Sequence, residues 1–200
     1  LIVVDVVEGV CTQTHAVLHK ALKERMQPCL VLNKLDRMIL EMKFTPVEAF
    51  HHLKRIVENV NALAYSLVIS ELRIEKEGDV NTKGNSGEVD LDHPLLQKWT
   101  FAPEEGNVVF SSALDCWGFN LNKFANMWAK KLEINRNVLL KYLWEDCAIN
   151  NRDKKIVKCD PHDINSKPMF ATMILEPIWQ LYEIGIEQKD PTKASKMAQR

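Results

Sequence analysis

Pro28-Cys29-Leu30-Val31-Leu32-Asn33-Lys34-Leu35-Asp36 is an apolar run that ends in an Asn-Lys-x-Asp string. The first five residues read as a buried strand. The polar residues leave its carboxyl end, the place where open parallel sheets hold their ligands. Asn-Lys-x-Asp supplies what is needed to read guanine. That base presents its ring N1–H and its 2-amino group side by side, and one ionised carboxylate accepts both. Asp36 is the candidate acceptor. Adenine lacks both donors, so a buried Asp36 facing it would stay desolvated and unpaired, a mismatch that such sites reject by about four to five orders of magnitude. Asn33 would bond the other edge of the base and tie the loop to its neighbours. The Lys34 stem would lie along the base face with its ammonium in water. The plain alternative is a polar turn after a strand with an incidental lysine and aspartate.

Upstream, residues 1–7 (Leu-Ile-Val-Val-Asp-Val-Val) read as a central strand, followed by a turn at Glu8-Gly9. A helix over about 12–24 follows, with Ala16, Val17, Leu18, Ala21 and Leu22 near one face. Strand, helix and strand form a βαβ unit, which is right-handed with parallel strands. Downstream, Thr45-Pro46-Val47-Glu48 has the residues of a capping box with proline in the first helical position. The helix it opens is expected to reach about Leu63, burying Phe50, Leu53, Val57, Val60 and Leu63. Residues from about 71 to 92 are acidic and glycine-containing, with few apolar anchors, and read as a mobile insertion.

A third strand is expected at Asn107-Val108-Val109-Phe110, and a second loop, Ser111-Ser112-Ala113-Leu114, leaves its carboxyl end. The Ala113 N–H is the candidate donor to guanine O6, with Ser112 bracing the loop through Asp36 or nearby backbone. Beyond it the pattern gives helices over about 121–132 and 136–146, then a hairpin around Asn150-Asn151. A long helix over about 169–187 follows, with a kink predicted at Pro177, and a polar tail begins at Lys189. Asp115-Cys116-Trp117-Gly118 matches the Asp-x-x-Gly string of nucleotide-sensing switches but comes after the third strand, out of order for that role. Trp117 and Phe119 are read instead as core plugs. Asp5 and Glu8 are read as turn residues, and His15, His19, His51 and His52 as solvated or packed, with no metal role.

Composition bounds the function. The 200 residues carry a formal charge of −1, which gives no global basic footprint for nucleic acid. Five cysteines without Cys-x-x-Cys spacing argue against a disulfide framework and a zinc site, and fit a reducing compartment. No apolar stretch approaches a membrane span. Leu1 opens within a strand, so the chain reads as truncated. None of the seven glycines precedes lysine, so a Gly-x4-Gly-Lys phosphate cradle is missing. Phosphoryl transfer depends on that half, so these residues alone are expected to be inactive, with no catalytic residue among them.

Val4-Asp5-Val6-Val7-Glu8-Gly9-Val10 with Gln13-Thr14, Asn33-Lys34-Leu35-Asp36-Arg37 and Ile56-Val57-Glu58-Asn59-Val60-Asn61 together resemble the G domain of translational GTPases of the elongation factor two type. Lys43-Phe44-Thr45-Pro46, Glu105-Gly106-Asn107-Val108-Val109-Phe110 and the run from Ser112 to Phe119 are similar to the elongation factor-like branch that serves eukaryotic ribosome assembly. The resemblance covers nearly the whole chain except about 71–98. It implies an α/β fold: part of a P-loop GTPase G domain with a parallel sheet over 1–120, and a small inserted α+β subdomain over 121–167. A helix over 168–188 would pack back on the G domain, with the polar tail over 189–200. It implies guanine-binding by Asn33, Lys34, Asp36, Ser112, Ala113 and Leu114, with GTP or GDP as ligand and Mg²⁺ only in the parent protein. The expected setting is cytoplasmic. The expected partners are the large ribosomal subunit, its RNA and protein, together with the subunit anti-association factor and an assembly protein of the Shwachman-Bodian-Diamond type. The alternatives are the translocating elongation factor two and a non-catalytic binding module that lost its phosphate site.

Overall fold

A computed structural model describes residues 1–78, 93–150, 155–159 and 166–187. Four strands form one sheet: β1 Ile2–Asp5, β2 Leu30–Asn33, β3 Val108–Ser112 and β4 Trp117–Phe119, in that spatial order. The β1/β2 and β2/β3 pairs are parallel, while β4 returns antiparallel to β3. The two parallel pairs align Val4 with Leu32 and Leu32 with Phe110. All three side chains are buried, so one face of the pleat carries the core. The sequence reading makes the first strand central, but among the described strands it ends the order, and Val3 on its outer face is 59% exposed. An unbroken apolar run does not distinguish the two positions.

Helix α1, Thr12–Lys23, links β1 to β2. Its buried residues are Thr14, Leu18 and Leu22, with Ala21 packed against the core, so Leu18, Ala21 and Leu22 lie on the inner face as expected while Ala16 and Val17 face outward. The short helix α2, Leu35–Leu40, follows β2 directly. Helix α3, Pro46–Gly78, starts at the expected capping box: Thr45 N–H donates to Glu48 Oε2 at 2.8 Å and Glu48 N–H to Thr45 Oγ1 at 3.3 Å. It continues well past Leu63, because Ala64, Leu67, Val68 and Leu72 keep the buried stripe going at three- and four-residue steps. The first eight residues of the segment read as an insertion, 71–78, are therefore helix. Its remainder, 79–92, lies outside the described residues, as do the hairpin turn at Asn151 and the tail from Lys189.

Helix α4, Pro94–Lys98, and a 3₁₀ turn at Pro103–Glu105 bring the chain back to β3. The Asn61 carboxamide of α3 fixes that return, accepting Phe101 N–H at 2.7 Å and donating to Phe101 O at 2.8 Å. Helices α5, Leu121–Leu132, and α6, Arg136–Leu143, pack together and lead into an antiparallel pair, β5 Cys147–Asn150 and β6 Lys155–Lys158. Trp144, expected within α6, caps its end instead.

The closing helical run is irregular. Wide turns over Ala171–Leu175 precede α7, Glu176–Tyr182, and wide turns resume over Glu183–Glu187. Pro177 has no N–H for the Met173 carbonyl four residues earlier. Trp128 Nε1–H of α5 donates to that carbonyl at 3.1 Å, satisfying it from outside the helix. Phe50, Phe110, Trp144 and Phe170 meet with ring centroids 4.9–5.5 Å apart, joining α3, β3, the end of α6 and the closing run in one core.

Replacing Asn61 with alanine strands both backbone groups of the buried Phe101. Each group left without a partner is worth about 1–3 kcal/mol, so Asn61→Ala should lower the free energy of urea unfolding by about 2–3 kcal/mol with an unchanged denaturant slope.

Candidate functional site

Two loops leave the carboxyl ends of β2 and β3, and Asn33 joins them. Its Oδ1 accepts the Ala113 N–H at 3.0 Å and lies 3.3 Å from Ser111 Oγ. The pairing of Leu32 with Phe110 makes Asn33 and Ser111 the next neighbours on the same face. Ser112, on the opposite face, is fully buried. It does not reach Asp36, one of the two partners expected for it. Ser112 Oγ donates to Asp115 Oδ2 at 3.2 Å, and the Asp115 N–H donates back to Ser112 Oγ at 3.2 Å. The alternation along β3 assigns the two serines to different tasks, and Ser111 is the one that faces the first loop.

Lys34 holds a left-handed backbone, φ 71° and ψ 37°, between β2 and α2. For a residue with a Cβ this conformation costs about 1–2 kcal/mol. It reverses the chain so that Leu35 enters the core and Asp36 follows it, only 3% exposed. The Lys34 ammonium lies 2.6 Å from Asp5 Oδ2. The lysine side chain stays 46% exposed, so the ammonium expected in water also has a carboxylate partner at the end of β1. Asp36 Oδ1 is buried and has no hydrogen-bond partner among the described residues. Ala113 is exposed, and the Leu114 side chain stands out from the loop at 79% exposure.

Asp5 serves the turn, as read, through its Oδ1, which accepts the Val7 N–H at 2.8 Å, while Gly9 closes the turn at φ 71°. Burial alone would raise its pKa. Lys34 and the Val7 amide outweigh burial and hold it below the usual carboxylate value. A cavity of about 410 Å³ opens beside these groups, lined by Asp5, Gly9, Thr14, Asn33 and Lys34 among others. A larger one, about 530 Å³, lies between Leu22, His93 and Trp99 and touches none of the base-loop residues.

The second loop also meets the closing helix. Tyr182, 9% exposed, donates its hydroxyl to Asp115 Oδ2 and accepts Trp117 Nε1–H at 2.8 Å. Burial first, and the Asp115 carboxylate second, push its phenol well above the ordinary tyrosine value. Asp115 thus anchors a loop, Phe119 is buried against Phe110 and Trp117 is half-buried. No local pattern in the sequence pointed to Tyr182, 67 residues away from its partner. His52 packs on Phe44 and meets Val6 O at 2.7 Å, and exposed His51 lies 3.8 Å from Asp146. Among the described residues no cluster of three or more histidine, cysteine, aspartate or glutamate side chains could hold a metal. Nor is any helix there long and apolar enough to cross a membrane.

The loop after β2 thus carries a buried carboxylate oxygen without a donor, and Asn33 of the same loop ties it to the loop after β3. Residues 1–176 match the family model of the elongation factor Tu GTP binding domain, and the chain belongs to that GTPase family. Guanine nucleotide binding goes with that membership. Among proteins it resembles, it is 46% identical over 211 residues to elongation factor-like GTPase 1 of Mus musculus and 45% identical over 208 residues to that of Homo sapiens. It is 36% identical over 199 residues to ribosome assembly protein 1 of Saccharomyces cerevisiae. These matches cover 98–99% of the chain, and the chain spans 18% of the length of each relative.

The lowered pKa of Asp5 carries a sign. Its stabilising contribution is complete above the unfolded value near 3.8 and is lost as pH falls through the lower folded value. Asp5→Asn should therefore flatten the acid limb of a stability-versus-pH curve below about pH 4, leaving the slope near neutrality unchanged.

Proposed function

We propose that these residues form the base-reading part of a GTPase that acts in assembly of the large ribosomal subunit. The observation that carries the base reading is Asp36 Oδ1, buried without a donor three residues after Asn33, which bonds the Ala113 N–H. Guanine N1–H and the 2-amino group would supply the two missing donors, and the Ala113 N–H would turn from Asn33 towards O6. Lys34, held by Asp5, would lay its methylenes over the base, with Ser112 and Leu114 completing the loop.

The proposed organisation is part of a P-loop G domain over 1–120 and an inserted α+β subdomain over 121–167, with the closing helix over 168–188 returning to the sheet. Helix α3 and the closing run share the Phe50–Phe170 contact, which supports that return. Hydrolysis belongs to the whole protein. No glycine of these residues precedes lysine, so the phosphate cradle and its Mg²⁺ would be supplied elsewhere in a protein as long as the relatives, and these residues alone would be inactive.

The ribosomal setting is supported by the relatives' names, elongation factor-like GTPase 1 and ribosome assembly protein 1. On this reading the protein works in the cytoplasm on the large subunit, contacting its RNA and protein. It releases the subunit anti-association factor together with an assembly protein of the Shwachman-Bodian-Diamond type. Translocation by an elongation factor two is the competing assignment for the same G domain.

In the complete protein, Asp36→Asn should weaken guanine nucleotides by at least about a hundredfold and favour xanthine nucleotides, because a carboxamide donates where a carboxylate cannot. Titration with fluorescent GDP and XDP reads the switch, and an unaltered guanine preference overturns the base assignment. Binding of the wild-type protein to large subunits but not to translating ribosomes separates assembly from translocation.

A further inference from the structure

We infer that Tyr182 is a positioning residue for the second base loop, setting through Asp115 the pose of the amide that meets guanine O6. The inference rests on the base reading above and extends it to a helix outside both loops. Ala113 is held from one side by Asn33 Oδ1. On the other side the chain makes a small closed unit: Ser112 Oγ and the Asp115 N–H and carboxylate bond one another, and Cys116 adopts a left-handed φ of 57°. That unit fixes local geometry but not its own orientation, since Ala113, Leu114, Asp115 and Cys116 are all exposed.

Tyr182 supplies the orientation. Its hydroxyl has one proton to give and gives it to Asp115 Oδ2, the same oxygen that accepts from Ser112. Its lone pair receives the Trp117 indole N–H, so the hydroxyl cannot turn away without stranding a donor on β4. The ring is buried, and its plane lies 70° from that of Trp117 with centroids 6.4 Å apart. The order Trp117 to Tyr182 to Asp115 to Ser112 runs from the β4 strand, through the closing helix, back to the residue before Ala113. A helix reached only after both β5 and β6 therefore orients the base loop, and any shift of that helix would be felt at O6.

The test uses the complete protein and fluorescent GDP. Tyr182→Phe keeps the ring and removes the hydroxyl; GDP release should quicken by about tenfold, within the range that a single coupled contact gives. Asp115→Asn, which keeps the phenol, should quicken it similarly. The two changes together should do little more than either alone, since they break one link. IDP keeps O6 and N1–H but lacks the 2-amino group, so it reads the Asp36 side separately. Loss of loop pose should weaken GDP and IDP alike and leave their ratio as in wild type. Glu176→Gln, which removes the surface contact to Lys167 on the same helix, should leave release unchanged. Release at the wild-type rate in Tyr182→Phe, a GDP/IDP ratio that collapses towards one, or fully multiplying effects in the double variant would overturn the inference. A wild-type protein that does not prefer GDP to ADP would instead overturn the base reading on which it stands.

Discussion

Parallel pairing of β2 with β3 brings two strand ends side by side, and the Asn33 carboxamide then spans the gap to the Ala113 amide at 3.0 Å. Everything proposed for the site depends on that junction. The two loops contribute differently: one carries the buried Asp36 oxygen, the other the Ala113 amide on an exposed residue. The junction exists because the register places Asn33 and Ser111 on one face of the pleat, a condition that a slip of one residue would abolish by turning Asn33 into the core. The core on the other face, from Leu30 and Leu32 through Val108 and Phe110, therefore fixes the register on which the polar face depends.

The magnitudes say what holds the first loop. The left-handed Lys34 is unfavourable by about 1–2 kcal/mol. The ion pair to Asp5 is half in water on the lysine side, and pairs of that kind contribute at most about 1 kcal/mol. Full burial of Leu35 contributes about 1.5–3 kcal/mol. Leu35, a residue with no role towards the base, is thus the main anchor of the turn, and the ion pair directs the lysine stem more than it stabilises the backbone. This explains why the variable position of Asn-Lys-x-Asp is apolar here.

Much of this was legible before any coordinates. The run Pro28 to Asp36 announced strand and loop together, the capping box at Thr45 and Glu48 marked the start of α3, and the turn role of Asp5 followed from its place at a strand end. The end of α3 was missed because charge was weighed over periodicity, although Ala64, Leu67, Val68 and Leu72 carried the helical step onward. Ser112 bonds nearby backbone, one of the two partners expected for it, while the two-residue alternation fixed by Phe110 puts Ser111 on the side that faces Asn33. Tyr182 had no signal available: a contact across 67 residues that joins a helix to a hairpin is decided by packing, which no local pattern encodes.

The closing helix shows how distant parts of the chain come to bear on two loops. Pro177 denies the Met173 carbonyl its usual donor, and Trp128 of α5 takes that place. Trp179 Nε1–H donates to Phe44 O at 2.7 Å, just before the α3 capping box, and Tyr182 reaches Asp115. Within seven residues, Met173 aside, the helix is bonded to the segment just before α3 and to the loop after β3, while Phe170 ahead of it sits in the aromatic core. An aromatic side chain that carries one polar tip suits this duty, since its ring is fixed by burial and its single hydrogen bond then has a fixed direction. The position of the Ala113 amide is consequently a property of the packed core as a whole, transmitted through a few such tips, and the buried oxygen of Asp36 is among the polar atoms that the described residues leave without a hydrogen bond.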